Sequence, residues 1–101
     1  MDERKALGIL GIGKKAGKIA DGAFLSEKSV KAGRSWLVLV STDCSQGTYD
    51  RFAGMCESRD LPLIRHFDMD TLGHILGKGD RSVISVEDRV FSEKLKGFLA
   101  E

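Results

Sequence analysis

Residues 36–40 read Trp36-Leu37-Val38-Leu39-Val40, a continuous apolar run that contains two valines and a tryptophan. Valine and tryptophan favour extended backbone. An apolar run of this length without polar alternation is typical of a β-strand that is covered on both faces. We therefore expect residues 36–40 to form the central strand of a sheet with helices on both sides.

Segments with helical and extended patterns alternate on either side of this run. Before it, Asp2 is the predicted N-cap of a helix over residues 2–16, Lys18-Ile19-Ala20 is extended, and Asp21 caps a second helix that ends near Gly33. After it, the predicted elements are a helix capped by Ser45, a strand over 61–67, a helix from Met69 to Gly77, a strand over 82–86 and a helix with Phe91, Leu95 and Phe98. This alternation predicts a three-layer α/β/α sandwich.

Length and composition fit one folded domain over residues 1–101. The chain is 42% hydrophobic and 31% charged, as in ordinary globular proteins. Its apolar runs are far shorter than the ~20 residues that cross a bilayer, so we expect no membrane partner. The mixed charges of Asp2-Glu3-Arg4-Lys5 argue against a signal peptide, and we expect a cytoplasmic protein.

Motifs for catalysis and metal binding are weak or absent. Gly8 to Lys15 resembles a phosphate-binding loop, but Lys15 replaces the Ser or Thr that binds magnesium, and no strand precedes Gly8. A small nucleotide-binding enzyme is therefore a minor alternative to a helix whose glycines permit close packing. Cys44 and Cys56 match no usual zinc spacing, and neither a catalytic G-x-S-x-G nor an H-E-x-x-H motif occurs. We expect no catalytic residue, no metal and no cofactor.

Basic residues are concentrated in the N-terminal part of the chain. Residues 1–40 carry a net charge of +4, whereas the remainder carries −3. Such asymmetry suggests contact with a polyanion. Lysines surround the loop that leads into the second helix, whose free N–H groups and dipole favour an anion such as phosphate.

Phe24 and Lys28 are four residues apart on this second helix and therefore share a face. An aromatic ring beside a cation suits RNA, because unpaired bases stack on aromatic side chains while lysines hold phosphates. The alternative is a solvated basic face with Phe24 in the core. Spacing alone does not decide between the two.

Several motifs in a fixed order resemble a known family. They are Ala16-Gly17-Lys18-Ile19, Gly22, Lys28, Leu37-Val38-Leu39-Val40, Asp43, Leu72-Gly73 and Gly77. Over about residues 6–99 the chain resembles the kink-turn-binding ribosomal-protein family of the large subunit (the 7Ae and 30e type). Gly77-Lys78, and Glu87-Asp88 followed by Phe91, are similar to its small stand-alone bacterial members. The resemblance implies a sandwich with a four-stranded mixed sheet (a 30e-like fold), no catalysis, and binding to the bent RNA element called a kink-turn.

The recognition motif of this family reads Gly-x-Asn-Glu-x-x-Lys, and its Asn and Glu contact sheared G·A pairs. The corresponding residues here are Gly22-Ala23-Phe24-Leu25-Ser26-Glu27-Lys28. Gly22 and Lys28 match, but Phe24 and Leu25 cannot hydrogen-bond a guanine edge. The family's apolar loop over an extruded base is replaced by Lys78-Gly79-Asp80-Arg81, which suits phosphate better.

We therefore expect a monomeric, non-catalytic protein that binds structured, kink-turn-like RNA, with ribosomal RNA, the ribosome or translation factors as partners. The predicted RNA-binding residues are Lys14, Lys15, Gly17, Lys18, Gly22, Phe24, Leu25, Lys28, Lys31, Lys78 and Arg81. The alternative is a protein-interaction module of the same fold that has lost specific RNA recognition and presents Phe24 and Leu25 as an apolar patch.

Overall fold

Helices and strands alternate along the described residues, 1–77 and 79–100, of the computed structural model. They are α1 (Glu3–Lys15), β1 (Ile19–Asp21), α2 (Ala23–Lys31), β2 (Leu37–Val40), α3 (Gln46–Ser58), β3 (Leu63–Arg65), α4 (Met69–Leu76), β4 (Val83–Val86) and α5 (Arg89–Leu99). The observed order confirms the predicted alternation. Within these two described ranges, no helix has both the length and the apolar composition needed to cross a membrane.

The four strands form one mixed sheet in the order β1-β4-β2-β3. β2 pairs in parallel with β3, and β4 runs antiparallel to both β1 and β2. Every residue of β2 and of β4 is buried. The prediction of a central strand is therefore confirmed, although it starts at Leu37 and leaves Trp36 49% exposed.

Side chains of β2 alternate between two hydrophobic cores, because successive residues of a strand face opposite sides of the sheet. Leu37 and Leu39 pack with α1, α4 and α5 on one face. Val38 and Val40 pack with α2 and α3 on the other. These two cores confirm the predicted α/β/α sandwich.

Two predicted boundaries are wrong. The strand predicted over residues 61–67 is restricted to Leu63–Arg65, and Phe67 adopts a left-handed backbone conformation with φ 59° that ends the extended run. Asp21 is not the N-cap of α2, because it forms the last residue of β1 opposite Ile84. Gly22 takes the N-cap position with φ 97°.

The glycines of α1 lie within a regular helix, as predicted, and not in a phosphate-binding loop. Gly13 does permit close packing, since a Cβ there would lie 3.2 Å from Cγ1 of Ile19. Gly8 does not, because a Cβ there would meet no atom within 4 Å. The expected close packing thus applies to one end of the glycine run, and the other end is left open.

A closer approach occurs between α4 and the loop that follows it. A Cβ on Gly73 would lie 2.5 Å from the carbonyl oxygen of Gly79 and 2.8 Å from its carbonyl carbon. These are backbone atoms, which cannot move aside as a flexible side chain would. Gly73 therefore lets the backbone at Gly79 lie directly against α4.

We expect Gly73→Ala to lower the free energy of unfolding by about 1–3 kcal/mol, because the added methyl group overpacks this contact. Gly54→Ala in α3 is the matched control, since its new Cβ meets nothing within 4 Å. The control should raise stability by about 0.5–1 kcal/mol through helix propensity alone. Urea unfolding measures both changes, and an equal gain in the two variants would contradict the predicted clash.

Candidate nucleic-acid interface

The first turn of α2 is open to ligands. Its N-cap is Gly22, which has no side chain to accept a hydrogen bond from the first backbone N–H groups. The four other helices each have a side-chain cap, provided by Asp2, Ser45, Asp68 and Asp88. Uncapped N–H groups and the positive end of the helix dipole together favour an anion at this position.

Phe24 and Leu25 point away from the protein. Phe24 is 73% exposed and Leu25 is 48% exposed. The Nζ atom of Lys28 lies 5.5 Å from the centroid of the Phe24 ring, within the range of a cation–π contact. The alternative that placed Phe24 in the core is wrong, and the start of α2 presents an aromatic face beside a cation.

Serine hydroxyls hold α2 in this orientation. Ser26 is buried, and its Oγ donates a hydrogen bond to the carbonyl oxygen of Ala20 in β1, at 3.2 Å. The hydroxyls of Ser29 and Ser85 in β4 share a buried hydrogen bond of 2.8 Å. Buried hydroxyls need such partners, so these bonds fix which face of α2 meets the sheet and which faces out.

Asp21 connects three elements beside this helix start. Its side chain is only 5% exposed. One carboxylate oxygen accepts a hydrogen bond of 2.6 Å from Nε of Arg81, and the other lies 3.3 Å from Nζ of Lys14. Asp21 thereby joins β1 to the end of α1 and to the loop before β4. Lys14 and Arg81 are brought to the site, but both share their charge with this carboxylate.

Arg81 also organises its own loop. Its guanidinium donates to the carbonyl oxygens of Gly79 and Asp80, at 3.2 and 3.1 Å, and its backbone N–H donates to the carbonyl oxygen of Met69 at 3.2 Å. The loop is thus tied to both ends of α4. Lys78, also predicted to bind RNA, lies outside the described residues.

The structure separates some predicted residues from the start of α2. Gly17 and Lys18 precede β1, whereas Gly22 follows its other end, and the backbone of Lys18 accepts a hydrogen bond from Glu87. Lys31 is the last residue of α2 and its Nζ lies 2.7 Å from a carboxylate oxygen of Glu27. Lys15 is exposed at the end of α1. The residues gathered around the start of α2 are therefore Gly22, Phe24, Leu25, Lys28, Lys14 and Arg81.

Sequence reasoning missed two further cations, whose positions depend on α3. Arg51 of α3 forms a salt bridge with Glu27 of α2. The guanidinium of Arg65 stacks 4.6 Å from the ring centroid of Tyr49 and donates to the carbonyl oxygen of Thr42. Arg65 ends β3, at the same end of the sheet as the last residues of β1 and β2, but β3 and β1 are opposite edge strands. The contacts of α3 with α2 and with Arg65 set these two positions, and local spacing carries no signal of them.

Two titratable groups among the described residues have shifted pKa values, and both shifts have structural causes. Burial raises the pKa of the Cys56 thiol, which keeps it protonated and unreactive. Hydrogen bonds from Thr71 lower the pKa of Asp68, as expected for a helix cap. Among the residues that the structure describes, no cluster of His, Cys, Asp or Glu could hold a metal ion.

Comparisons with known proteins agree with this architecture. The sequence pattern of the Ribosomal protein L7Ae/L30e/S12e/Gadd45 family matches residues 4–96. The chain is 31% identical to the RNA-binding protein YlxQ of Bacillus subtilis (strain 168) over 91 residues, which cover 90% of this chain and 91% of that protein. It is 24% identical to the RNA-binding protein YlxQ of Enterococcus faecium, with 94% and 91% covered.

Two solved structures have a similar fold. A protein of unknown function from Bacillus halodurans C superimposes with a TM-score of 0.92 at 32% identity, covering 96% of this chain and 98% of that one. The Giardia lamblia 15.5kD RNA binding protein superimposes with a TM-score of 0.78 at 19% identity, covering 91% and 79%. The matches confirm the family resemblance and the expectation that the chain is not an enzyme.

We expect Asp21→Ala to lower the free energy of unfolding by about 1–3 kcal/mol, because Arg81 and Lys14 lose a largely buried carboxylate partner. Hydrogen exchange at the Arg81 amide should accelerate more than at the buried residues of β2, since the loop loses its attachment to β1. Glu57→Ala removes an equal charge from an exposed position of α3 and should change neither quantity. Unchanged exchange at Arg81 in the Asp21 variant would show that the carboxylate does not hold the loop.

Proposed function

Because the chain belongs to the Ribosomal protein L7Ae/L30e/S12e/Gadd45 family, we propose that it binds structured RNA through the start of α2. The observation that carries the proposal is the uncapped first turn of α2, with Lys28 over an outward-facing Phe24. The names of the two YlxQ relatives as RNA-binding proteins support it.

The geometry supports binding by phosphate contact and stacking. A phosphate placed at Gly22 would meet backbone N–H groups and the positive end of the helix dipole, and Lys28 adds a cation further along the same helix. The exposed Phe24 ring offers a face on which an unpaired base can stack. Neither contact depends on the identity of the base, so the RNA would be selected by its shape.

We propose a kink-turn-like bend as that shape. The family motif reads the G·A pairs of a kink-turn through Asn and Glu, and this chain has Phe24 and Leu25 instead. Gly22 and Lys28 match the motif positions that contact the RNA backbone, and Arg81, held by Asp21, adds a cation where the family has an apolar loop. The proposed partner is a ribosomal or translation-associated RNA, bound in the cytoplasm by one copy of this single-domain chain; the family's ribosomal members support this assignment.

Titration against a labelled kink-turn duplex and a straight duplex of equal length, at two salt concentrations, tests this proposal. We expect tighter binding to the kink-turn, because only the bent backbone meets both α2 and the loop at Arg81. Affinity should fall by about 0.7–0.9 log units per phosphate contact per tenfold rise in salt. Equal and salt-sensitive affinities for the two duplexes would show that the protein binds RNA without preference for a kink-turn. No binding to either duplex would contradict the proposed function.

Lys28→Ala should weaken RNA binding about tenfold at low salt, because a charge-assisted contact to phosphate is lost. It should also reduce the slope of log affinity against log salt concentration by about 0.7–0.9. Lys94→Ala is the matched control, since Lys94 is an exposed lysine on α5, which packs on the opposite face of the sheet. Equal effects of the two variants would show that only net charge matters and that the start of α2 is not the site.

The exposure of Phe24 and Leu25 also supports a second candidate function, a protein-interaction module. Two adjacent apolar side chains on one helix turn form the kind of patch that a protein partner covers. Salt distinguishes the candidates, because an apolar contact survives ionic strength that abolishes an electrostatic one. Absence of RNA binding, together with a salt-resistant complex lost in Phe24→Ala, would favour the protein partner.

A further inference from the structure

A groove runs along the seam between α1 and α4, outside the surface assigned to the start of α2. It has a volume of about 430 Å³, which falls within the range of small-ligand sites. Leu7, Ile12 and Ile75 form its apolar walls, and Gly8 and Gly11 leave the α1 backbone bare between them. Ile12 is 58% exposed. The chain thus has an apolar recess that is open to solvent and has the α1 backbone at its base.

The charges at its ends are opposite in sign. Lys14 and Lys15 lie beside Gly77 at one end. A neighbouring recess of about 340 Å³ shares Leu7 and Ile75 and continues the seam to Asp70, Thr71 and His74 at the other. The lysine end favours phosphate, and the Asp70 carboxylate disfavours it. An occupant with an apolar planar part and a single anionic end matches this distribution.

The groove is also continuous with the proposed RNA surface. Lys14 lines the groove and, through its salt bridge, contacts the Asp21 that binds Arg81. Gly77 lines the groove and begins the loop that leads to Arg81. An RNA seated at the start of α2 would therefore bring its flanking nucleotides to the lysine end of the groove.

We infer that this groove binds one or two unpaired nucleotides adjacent to the folded RNA, with a base between Ile12 and Ile75 and a phosphate at Lys14 and Lys15. The inference rests on the proposed function. Unstacked bases have apolar faces that suit such walls, and a flanking phosphate needs the cations at the entrance. Asp70 limits the length of strand that the seam accepts.

The test compares a kink-turn duplex that is blunt with the same duplex carrying one, two or four unpaired adenosines at its 5′ or 3′ end. We expect about tenfold tighter binding with one or two adenosines and no further gain with four. Gly8→Leu fills the groove and should abolish this gain without changing the affinity for the blunt duplex. Gly54→Leu, an equally open glycine on α3, should leave the gain intact.

Ile12→Ser is a second groove variant, since it removes an exposed wall residue without disturbing the core. It should also abolish the gain in affinity from unpaired adenosines. Lys28→Ala should weaken the binding of blunt and extended duplexes by the same factor, so the ratio of the two affinities should not change. No gain from unpaired adenosines in the unsubstituted protein, or a gain that survives both groove variants, would overturn the inference while leaving the proposed function in place.

Methyl NMR with a short oligoadenylate examines the groove independently of the folded RNA. The Ile12 and Ile75 methyl signals should shift on titration, and Gly8→Leu should abolish the shifts. If neither duplex binds, the proposed function fails, and only these methyl signals then test whether the groove binds nucleotides. Unmoved signals would then overturn the inference as well.

Discussion

Complete burial of β2 and β4 is the constraint on which the rest of the structure depends. Both strands are buried along their whole length, so helices must cover both faces of the sheet. β4 runs antiparallel between β1 and β2, so β4 begins, and the loop before it ends, beside the last residue of β1. That arrangement brings Arg81 to Asp21 and places the loop beside the first turn of α2. The candidate site is therefore a consequence of where β4 inserts.

Electrostatics at the site differ from what the net charge of the N-terminal part indicates. The +4 charge of residues 1–40 is spread over two ends of the molecule, with Lys18 and Lys31 away from the start of α2. The single carboxylate of Asp21 offsets only part of the charge of Lys14 and Arg81, and these ion pairs also join α1, β1 and the loop before β4. Lys28, by contrast, is an exposed residue whose Nζ lies over the Phe24 ring. For the proposed RNA contact, the positions of a few cations and the uncapped start of α2 therefore matter more than the net charge of the N-terminal part.

Phe24 and Leu25 change the chemistry of the family's recognition helix. Asn and Glu at these positions can hydrogen-bond base edges, whereas a phenyl ring and an isobutyl group offer only apolar surface. The hydrogen bonds of Ser26 and Ser29 fix which face of α2 meets the sheet, so Phe24 and Leu25 lie on its outward face. Under the proposed function, contacts with the RNA backbone and with base faces would therefore replace contacts with base edges.

The sequence by itself determined the order of the elements, the central strand, and helix ends such as the caps at Asp2 and Ser45. These features depend on periodicity and on hydrogen bonds within a single turn, and the family resemblance added the four-stranded mixed sheet. Only the tertiary structure decided that Phe24 points outward, and that Asp21 binds Arg81 rather than capping α2. Such contacts join residues far apart in the chain, and the packing of two helical layers on one sheet sets them.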